Sequence, residues 1–364
     1  MISRASGTNI LKKTRTSEIS KISKIPKQIQ ISKISKILAN SIYLLLPIAS
    51  ACLVILLIVF SEQSILSARD ALSLCFLAVI PTLFPFFLLS NVIVDSGFPK
   101  LIGHFAKRIM GPLFNLPGST ILPFLLGLTA GYPTGASITV SMYKEHQITE
   151  MQAERLLGFT NNSSPLFITG AVAVGMLKMP EIGLGLFFCH AFSAVLVGII
   201  FGIASRIKKA PSTKNNSILL PQVKIVTQTA LDISKEIIKN IKKNPGYLIG
   251  DALKKALSTT LLVCGFVLFF SILFGIAQSV LKNEFSFFPL LLLEITNGNS
   301  QLAQAAFPIS LKLVLISFVT GFGGISVFMQ VAAICANAKL NLTGYIQGKL
   351  LQGIIAAVLA YIIF

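Results

Sequence analysis

Apolar runs long enough to cross a lipid bilayer recur along almost the whole of this chain. A spanning helix needs about 20 predominantly apolar residues, and about eight runs approach that length. The runs are 42–60, 71–95, 119–142, 156–178, 182–203, 257–281, 311–335 and 345–363. Hydrophobic residues make up 54% of the sequence and charged residues only 12%. The pattern predicts an all-α polytopic membrane protein with about seven to eight transmembrane helices plus re-entrant or broken segments.

The positive charge is concentrated in two segments beside the apolar runs. Residues 1–40 hold nine Lys and Arg against one acid, Glu18, and residues 206–255 hold eleven against three acids. Basic segments next to membrane helices mark the cytoplasmic face. Topology therefore explains the net charge of +18, and a nucleic-acid partner is not expected.

These boundaries predict four parts. Residues 1–40 form a cytoplasmic tail, in which a Ser-Lys-Ile triplet repeats and the low complexity argues against a folded domain. A first membrane half, 41–205, is followed by a basic cytoplasmic linker, 206–255, and by a second membrane half, 256–364. An alternative for the tail is that its lysines bind the anionic surface of the bilayer.

The run 119–142 is interrupted in its middle by Gly131-Tyr132-Pro133-Thr134-Gly135, which we call the first break. Proline removes a backbone donor and glycine leaves the backbone unshielded. Free backbone groups at bilayer depth are tolerated only where protein buries them or a watery cavity solvates them. In transporters such interruptions form substrate sites.

Two other runs are interrupted as well. The run 156–178 contains the polar stretch Asn161-Asn162-Ser163-Ser164, and 311–335 contains Gly321-Phe322-Gly323-Gly324, the second break. The first stretch offers side-chain donors, whereas the second offers backbone groups. The break in each half is the pattern that points to a transporter site.

The two halves resemble each other weakly. Thr149 precedes Arg155 by six residues in the first half, and Thr343 precedes Lys349 by six in the second. If both basic segments are cytoplasmic, the first half holds an even number of full spans, so either 119–142 or 156–178 is re-entrant. The sequence leaves open which one it is. These observations predict two related halves with inverted orientation.

Several of these stretches occur together in a known family. They include 129–136, the polar stretch within 154–168, the turn 293–298 and the second break within 321–327. Through them the chain resembles the YlbJ family of sporulation integral membrane proteins, also called stage V sporulation protein V, which carries nucleoside-transporter-like gate domains. The resemblance covers about 42–364 and is most specific between 81 and 175.

The resemblance implies a role in spore formation. It implies that the chain moves dipicolinic acid, pyridine-2,6-dicarboxylate, from the mother cell across the outer forespore membrane of a spore-forming bacterium. Calcium accompanying the substrate and other sporulation membrane proteins are the further partners it suggests. It brings no established substrate-binding residues, so the candidate site depends on the residues themselves.

Dipicolinate is a flat ring with two carboxylates, and its site needs donors, positive potential and an aromatic slot. The N-termini of broken helices supply free N–H groups and about half a positive charge, and Tyr132 and Phe322 are candidates to hold the ring. The predicted substrate-binding residues are Gly131, Tyr132, Thr134, Gly135, Ser137, Asn161, Asn162, Ser163, Ser164, Gly321, Phe322, Gly323 and Ser326. The alternative is that the glycines only allow close helix packing.

Glu294 and Asn297 are the predicted residues for a coupling ion. Carboxylates are rare inside the bilayer because the charge costs about 2.5–3.5 kcal/mol on insertion scales. A carboxylate there that binds a proton or cation is therefore a functional hypothesis, and a carboxylate that caps a turn is the alternative.

Other functions remain open at this point. A transporter of nucleosides or other small solutes is the first alternative, and a non-transporting scaffold for assembly of the spore envelope is the second. An enzyme is not expected, because no catalytic triad, paired carboxylates or Gly-x-Ser-x-Gly motif is present in the apolar runs. We expect no metal and no cofactor, since the five Cys and three His do not have ligand spacing.

Overall fold

The computed structural model describes residues 47–207, Ile238, 245–281 and 287–364, and the secondary structure of this part is helical. The predicted tail 1–40 and most of the linker 206–255 lie outside the described residues. Contacts divide the chain into two units, Met1–Ser61 and Glu62–Phe364. In the first unit, helix α1 (Pro47–Val59) is apolar and most of its side chains are exposed.

After α1, the described residues form α-helices, three π-helical segments and two short 3-10 turns. The α-helices are α2 (Ser61–Leu74), α3 (Ile80–Asp95), α4 (Phe98–Ile109), α5 (Ile121–Ala130), α6 (Thr134–Lys144), α7 (Glu150–Thr160), α8 (Gly183–Ile207), α9 (Pro245–Val280), α10 (Phe287–Leu291), α11 (Ile295–Gln304), α12 (Ile309–Phe322), α13 (Gly324–Ala336) and α14 (Thr343–Ile363). The π-helical segments are Cys75–Val79, Met110–Phe114 and Leu166–Met176.

Four stretches of the described chain are long and apolar enough to cross a membrane. They are Pro180–Ile207, Pro245–Val280, Ile309–Ala336 and Thr343–Ile363. The number rises to six if two pairs of shorter, bent helices each count as one span. This is fewer than the predicted seven to eight, because 119–142 and 156–178 are each divided into two short helices. The inverted relation between the halves stays a prediction.

Local sequence signals explain several element boundaries. Thr149 accepts a hydrogen bond from the backbone N–H of Gln152, whose side-chain oxygen accepts from the backbone N–H of Thr149, and this capping box starts α7. Pro85 lies inside α3 without ending it. A π-helical turn, Cys75–Val79, comes directly before the proline-containing helix, and such turns commonly accompany a local disturbance of helical hydrogen bonding.

An amphipathic helix, α4, begins at Phe98. It carries Lys107 and Arg108 in its last turn, while the apolar side chains of Phe105 and Ile109 are 69% and 54% exposed. An exposed apolar stripe beside lysine and arginine is typical of a helix that lies in the membrane interface.

Three hydrophobic clusters hold the second unit together. The first includes Phe114 and Phe159, whose rings stack with centroids 5.4 Å apart. The second joins the Leu166–Met176 segment to α11, α12 and α13, and the third joins α3 to α9. The candidate site lies where residues of the second and third clusters meet the first break.

Candidate functional site

The predicted first break is present between α5 and α6. Gly131 has φ of 92°, a conformation that residues with a side chain rarely adopt. A Cβ at this position would lie only 3.1 Å from the Cβ of Ser164. The Tyr132–Pro133 peptide bond is cis. The break therefore brings its backbone directly against the Asn-Asn-Ser-Ser stretch.

Gly135 has a packing role at the start of α6. A Cβ added to Gly135 would lie 1.9 Å from the carbonyl oxygen of Thr160, and one added to Gly127 would lie 1.8 Å from the same oxygen. Both distances are far below van der Waals contact, so only glycine lets α5 and α6 pack this closely against the end of α7. These contacts at Gly127 and Gly135 agree with the alternative that the glycines allow close helix packing.

We expect Gly135→Ala to destabilise the protein by at least about 2 kcal/mol, because the methyl group forces the backbone of α6 away from α7. The matched control is Gly265→Ala in α9, where no atom lies within 4 Å of the added Cβ. Alanine is the better helix former, so this control should be neutral or stabilising. Thermal unfolding of both purified variants in detergent measures the difference, and equal melting temperatures would contradict the packing role.

The polar stretch is buried and extended rather than helical. Asn162 donates from Nδ2 to the carbonyl of Phe159 over 2.9 Å, which caps α7. The backbone N–H of Ser163 donates to Nε2 of His190 over 3.0 Å. By contrast, both side-chain polar atoms of Asn161 and the hydroxyl of Ser163 are buried without a partner at full hydrogen-bond geometry, and their neighbours are the hydroxyls of Tyr345 and Tyr132, respectively. Such atoms are costly unless something else satisfies them.

A lysine from the last helix reaches this stretch. Lys349 is 1% exposed, and its Nζ donates to the backbone carbonyl of Asn161 over 2.9 Å and to Oε1 of Gln352 over 2.7 Å. The amide of Gln352 in turn donates to Oδ1 of Asn162 over 2.8 Å. We call Asn161, Asn162, His190, Lys349 and Gln352 the buried polar cluster.

Tyr132 connects the two breaks. Its hydroxyl donates to the carbonyl of Thr320 over 2.6 Å, and a Cβ on Gly323 would lie 3.3 Å from that hydroxyl. Nζ of Lys349 lies 5.2 Å from the centroid of the Tyr132 ring, within the range of a cation–π contact. One residue of the first break thus touches both the second break and the buried polar cluster.

The second break is present at Gly323, whose φ is 88°. The expectation that this helix start offers free N–H groups is wrong for its first turn. The N–H of Ile325 donates to the carbonyl of Leu292, and that of Ser326 donates to the carbonyl of Leu293. The connection before α11 folds back onto the helix start and uses these donors, which leaves fewer N–H groups for a ligand.

Phe322 and Gly321 face other parts of the protein. The Phe322 ring stacks on Phe318 with an interplanar angle of 2°, and a Cβ on Gly321 would lie 2.9 Å from Cα of Gly353. The structure therefore does not place Phe322 opposite Tyr132 as the second wall of an aromatic slot.

Glu294 caps α11 and is 2% exposed. Its Oε2 accepts a hydrogen bond from the backbone N–H of Asn297 over 2.8 Å, so the capping alternative is present. The Asn297 side chain donates to the hydroxyl of Ser271 over 3.3 Å. Because Glu294 also lines the cavity described next, capping does not exclude a role in ion binding.

A cavity of about 370 Å³ opens between these elements. This volume lies within the usual range for small-molecule sites, about 300–1,000 Å³. Its walls are mostly apolar. The residues with polar side chains that line it are Tyr132, Ser163, Ser164, Glu294, Thr296 and Gln330, and Gly131 contributes backbone. The predicted residues that do not line it are Thr134, Gly135, Ser137, Asn161, Asn162, Gly321, Phe322, Gly323, Ser326 and Asn297.

Sequence reasoning missed two members of the buried polar cluster. In the internal repeat, Lys349 is only the basic residue that corresponds to Arg155, and Gln352 is not part of the repeat. The available signal was a lysine and a glutamine three residues apart in an apolar run, a spacing that puts both on one helix face. A cation within a span is a functional hypothesis by default, but its partner, Asn161, is 188 residues away.

Comparison with known proteins identifies the family. The Gate family, described as nucleoside recognition, matches residues 76–179. The sporulation integral membrane protein YlbJ of Bacillus subtilis (strain 168) is 30% identical over 353 residues, which is 92% of this chain and 84% of that protein. The chain belongs to the YlbJ family. It is a multi-pass sporulation integral membrane protein with a Gate domain, and its family is transporter-like rather than enzymatic. No solved structure matches it.

Proposed function

We propose that this protein transports dipicolinic acid from the mother cell across the outer forespore membrane. The observation that carries the proposal is the cavity at which the first break, the polar stretch and the turn at Glu294 meet. Transporter sites are formed where interrupted helices of two halves converge. In this chain, the Tyr132 hydroxyl lies against Gly323 of the second break and donates to the carbonyl of Thr320, which directly precedes the break.

The chemistry of the cavity suits a small, flat anion. The Tyr132 ring offers an aromatic face, and the hydroxyl of Ser163 is a buried donor without a partner. Nζ of Lys349 lies 5.2 Å from the centroid of that ring, so a protonated Lys349 would add positive potential to this side of the cavity.

Glu294 opposes a dianion by its charge, unless a proton or a cation accompanies the substrate. A protonated carboxyl, or one that binds a cation such as calcium, removes the repulsion. We therefore assign Glu294 the role of coupling residue. The backbone N–H of Asn297 donates to its carboxylate. Entry of the substrate from one side and release on the other then requires the two halves to move relative to each other.

Uptake into proteoliposomes tests the proposal. Purified protein should accumulate labelled dipicolinate at least about tenfold above empty liposomes, and excess unlabelled dipicolinate should compete while uridine should not. A strain lacking the gene should make spores without dipicolinate although synthesis in the mother cell is intact. Uptake of uridine without dipicolinate would overturn the proposal.

A nucleoside carrier is the second candidate. The description of the Gate family, nucleoside recognition, favours it, and so does the predominance of apolar residues in the cavity walls. The buried lysine argues against it, because an anionic substrate would stabilise the protonated form of Lys349 and a neutral nucleoside would not. The same uptake assay, run with labelled uridine, separates the two.

A further inference from the structure

Lys349 is a buried lysine whose described hydrogen-bond partners are both neutral. Its Nζ bonds to the Asn161 carbonyl and to the Gln352 amide oxygen, and the ion pairs found among the described residues do not include it. Removing an ammonium group from water without an opposite charge costs several kcal/mol. A protein that keeps such a group buried has usually a use for it, and an anionic ligand is the partner that would compensate it.

Three unpartnered polar atoms lie beside this lysine. Both side-chain atoms of Asn161 and the hydroxyl of Ser163 are buried and make no hydrogen bond, and Asn161 and Ser163 are 0% and 1% exposed. Ser163 also lines the cavity. Amide and hydroxyl donors next to an ammonium group are the set that binds a carboxylate.

Tyr132 contacts both the cavity and Lys349. Its ring forms part of the cavity wall, and Nζ of Lys349, which is not a wall residue, lies 5.2 Å from the ring centroid. The hydroxyl donates to the Thr320 carbonyl and also interacts with the Ser163 side chain. A rotation of this one side chain would let a ligand reach the cluster.

Resting on the proposed function, we propose that Lys349, with Asn161 and Ser163, forms a subsite for one carboxylate of the substrate, and that Tyr132 covers this subsite when it is empty. The subsite makes the protein selective for a dicarboxylate, because the second carboxylate gains a charge-assisted contact that a monocarboxylate cannot make. Gln352 is a positioning residue that fixes the ammonium group, and Tyr132 controls access to it.

The test compares binding of dipicolinate with that of picolinate, which has the same ring and one carboxylate. Binding is read from ligand-dependent thermal stabilisation of the purified full chain in detergent. The wild type should bind dipicolinate at least about tenfold more tightly than picolinate. In Lys349→Gln the affinities for dipicolinate and picolinate should differ by no more than about threefold, since the group that binds the second carboxylate is gone.

Lys312→Gln is the matched control, because Lys312 is also a lysine in a span whose Nζ bonds to a backbone carbonyl, that of Ala303. It lies outside the buried polar cluster, so the wild-type ratio should remain. An unchanged ratio in Lys349→Gln would overturn the subsite.

Gln352→Glu gives a second and independent result, also if Lys349→Gln fails to fold. The new carboxylate would stand 2.7 Å from Nζ in place of the amide oxygen and would act as an internal counter-ion. A purely structural lysine would tolerate this pair with the ligand ratio unchanged, which would overturn the inference. If Lys349 belongs to the subsite, the new carboxylate would take the place of the ligand carboxylate, and the preference for dipicolinate over picolinate should fall at least about fivefold. If the wild type binds uridine but neither acid, the proposed function itself fails.

Discussion

Replacing Asn161 by Leu should reduce dipicolinate uptake at least about tenfold while the protein stays as stable as the wild type or becomes more stable. The side-chain amide of Asn161 is fully buried and has no hydrogen-bond partner. An unsatisfied buried amide costs about 1–3 kcal/mol, and leucine of similar size removes that cost. The backbone carbonyl that accepts from Lys349 is retained in this variant. Loss of transport together with unchanged or raised stability separates a ligand contact from a structural contact.

Asn162 is the matched control for this experiment. It is equally buried, but its side chain donates to Phe159 and accepts from Gln352. Asn162→Leu should therefore lower stability by about 1–3 kcal/mol. Melting temperatures in detergent and uptake into proteoliposomes, measured on both variants, give the comparison. Wild-type uptake by Asn161→Leu would remove Asn161 from the site.

The second large effect is expected from Glu294→Gln. Glutamine keeps an oxygen that can accept from the N–H of Asn297, so the cap of α11 is retained, but the group no longer binds a proton or cation. Net accumulation of dipicolinate against its gradient should fall at least about tenfold, whereas exchange of labelled for unlabelled dipicolinate should continue. This pattern is specific to loss of coupling, because loss of substrate binding would abolish both.

Glu154→Gln provides the control for the loss of charge. Glu154 also accepts a backbone N–H, that of Asn341, over 2.8 Å, yet it lies outside the cavity walls. The Glu154→Gln variant should accumulate dipicolinate as the wild type does. Equal accumulation by Glu294→Gln and the wild type would exclude Glu294 as the coupling residue.

The breaks could be predicted from the sequence because their causes are local. Glycine and proline act on the backbone where they stand, so the interruptions at Gly131 and Gly323 follow from residue type alone. The capping box at Thr149 is local in the same sense. The long clean spans were also predictable, since α14 and the Pro180–Ile207 stretch depend on hydropathy summed over many residues.

The site itself depends on tertiary contacts that no local pattern encodes. The donors of Ile325 and Ser326 are used by carbonyls of the turn before α11, and the sequence does not show that this turn folds back. The Asn161 carbonyl that accepts from Lys349 is likewise distant, 188 residues away in the chain. Phe322 looked equivalent to Tyr132 by its position in a break, but its ring direction is set by its stack on Phe318.

The link between α14 and the end of α7 has a consequence for the order in which the protein is assembled. The carbonyl of Asn161 and the amide of Asn162 find their partners, Lys349 and Gln352, only on the helix that is C-terminal to all the others described. A ribosome that has made the first 340 or so residues has therefore exposed a polar stretch without its partners. Until α14 inserts, that stretch must remain in water or be shielded by a membrane chaperone or insertase. Insertion of α14 is therefore the step that commits the chain to its native state.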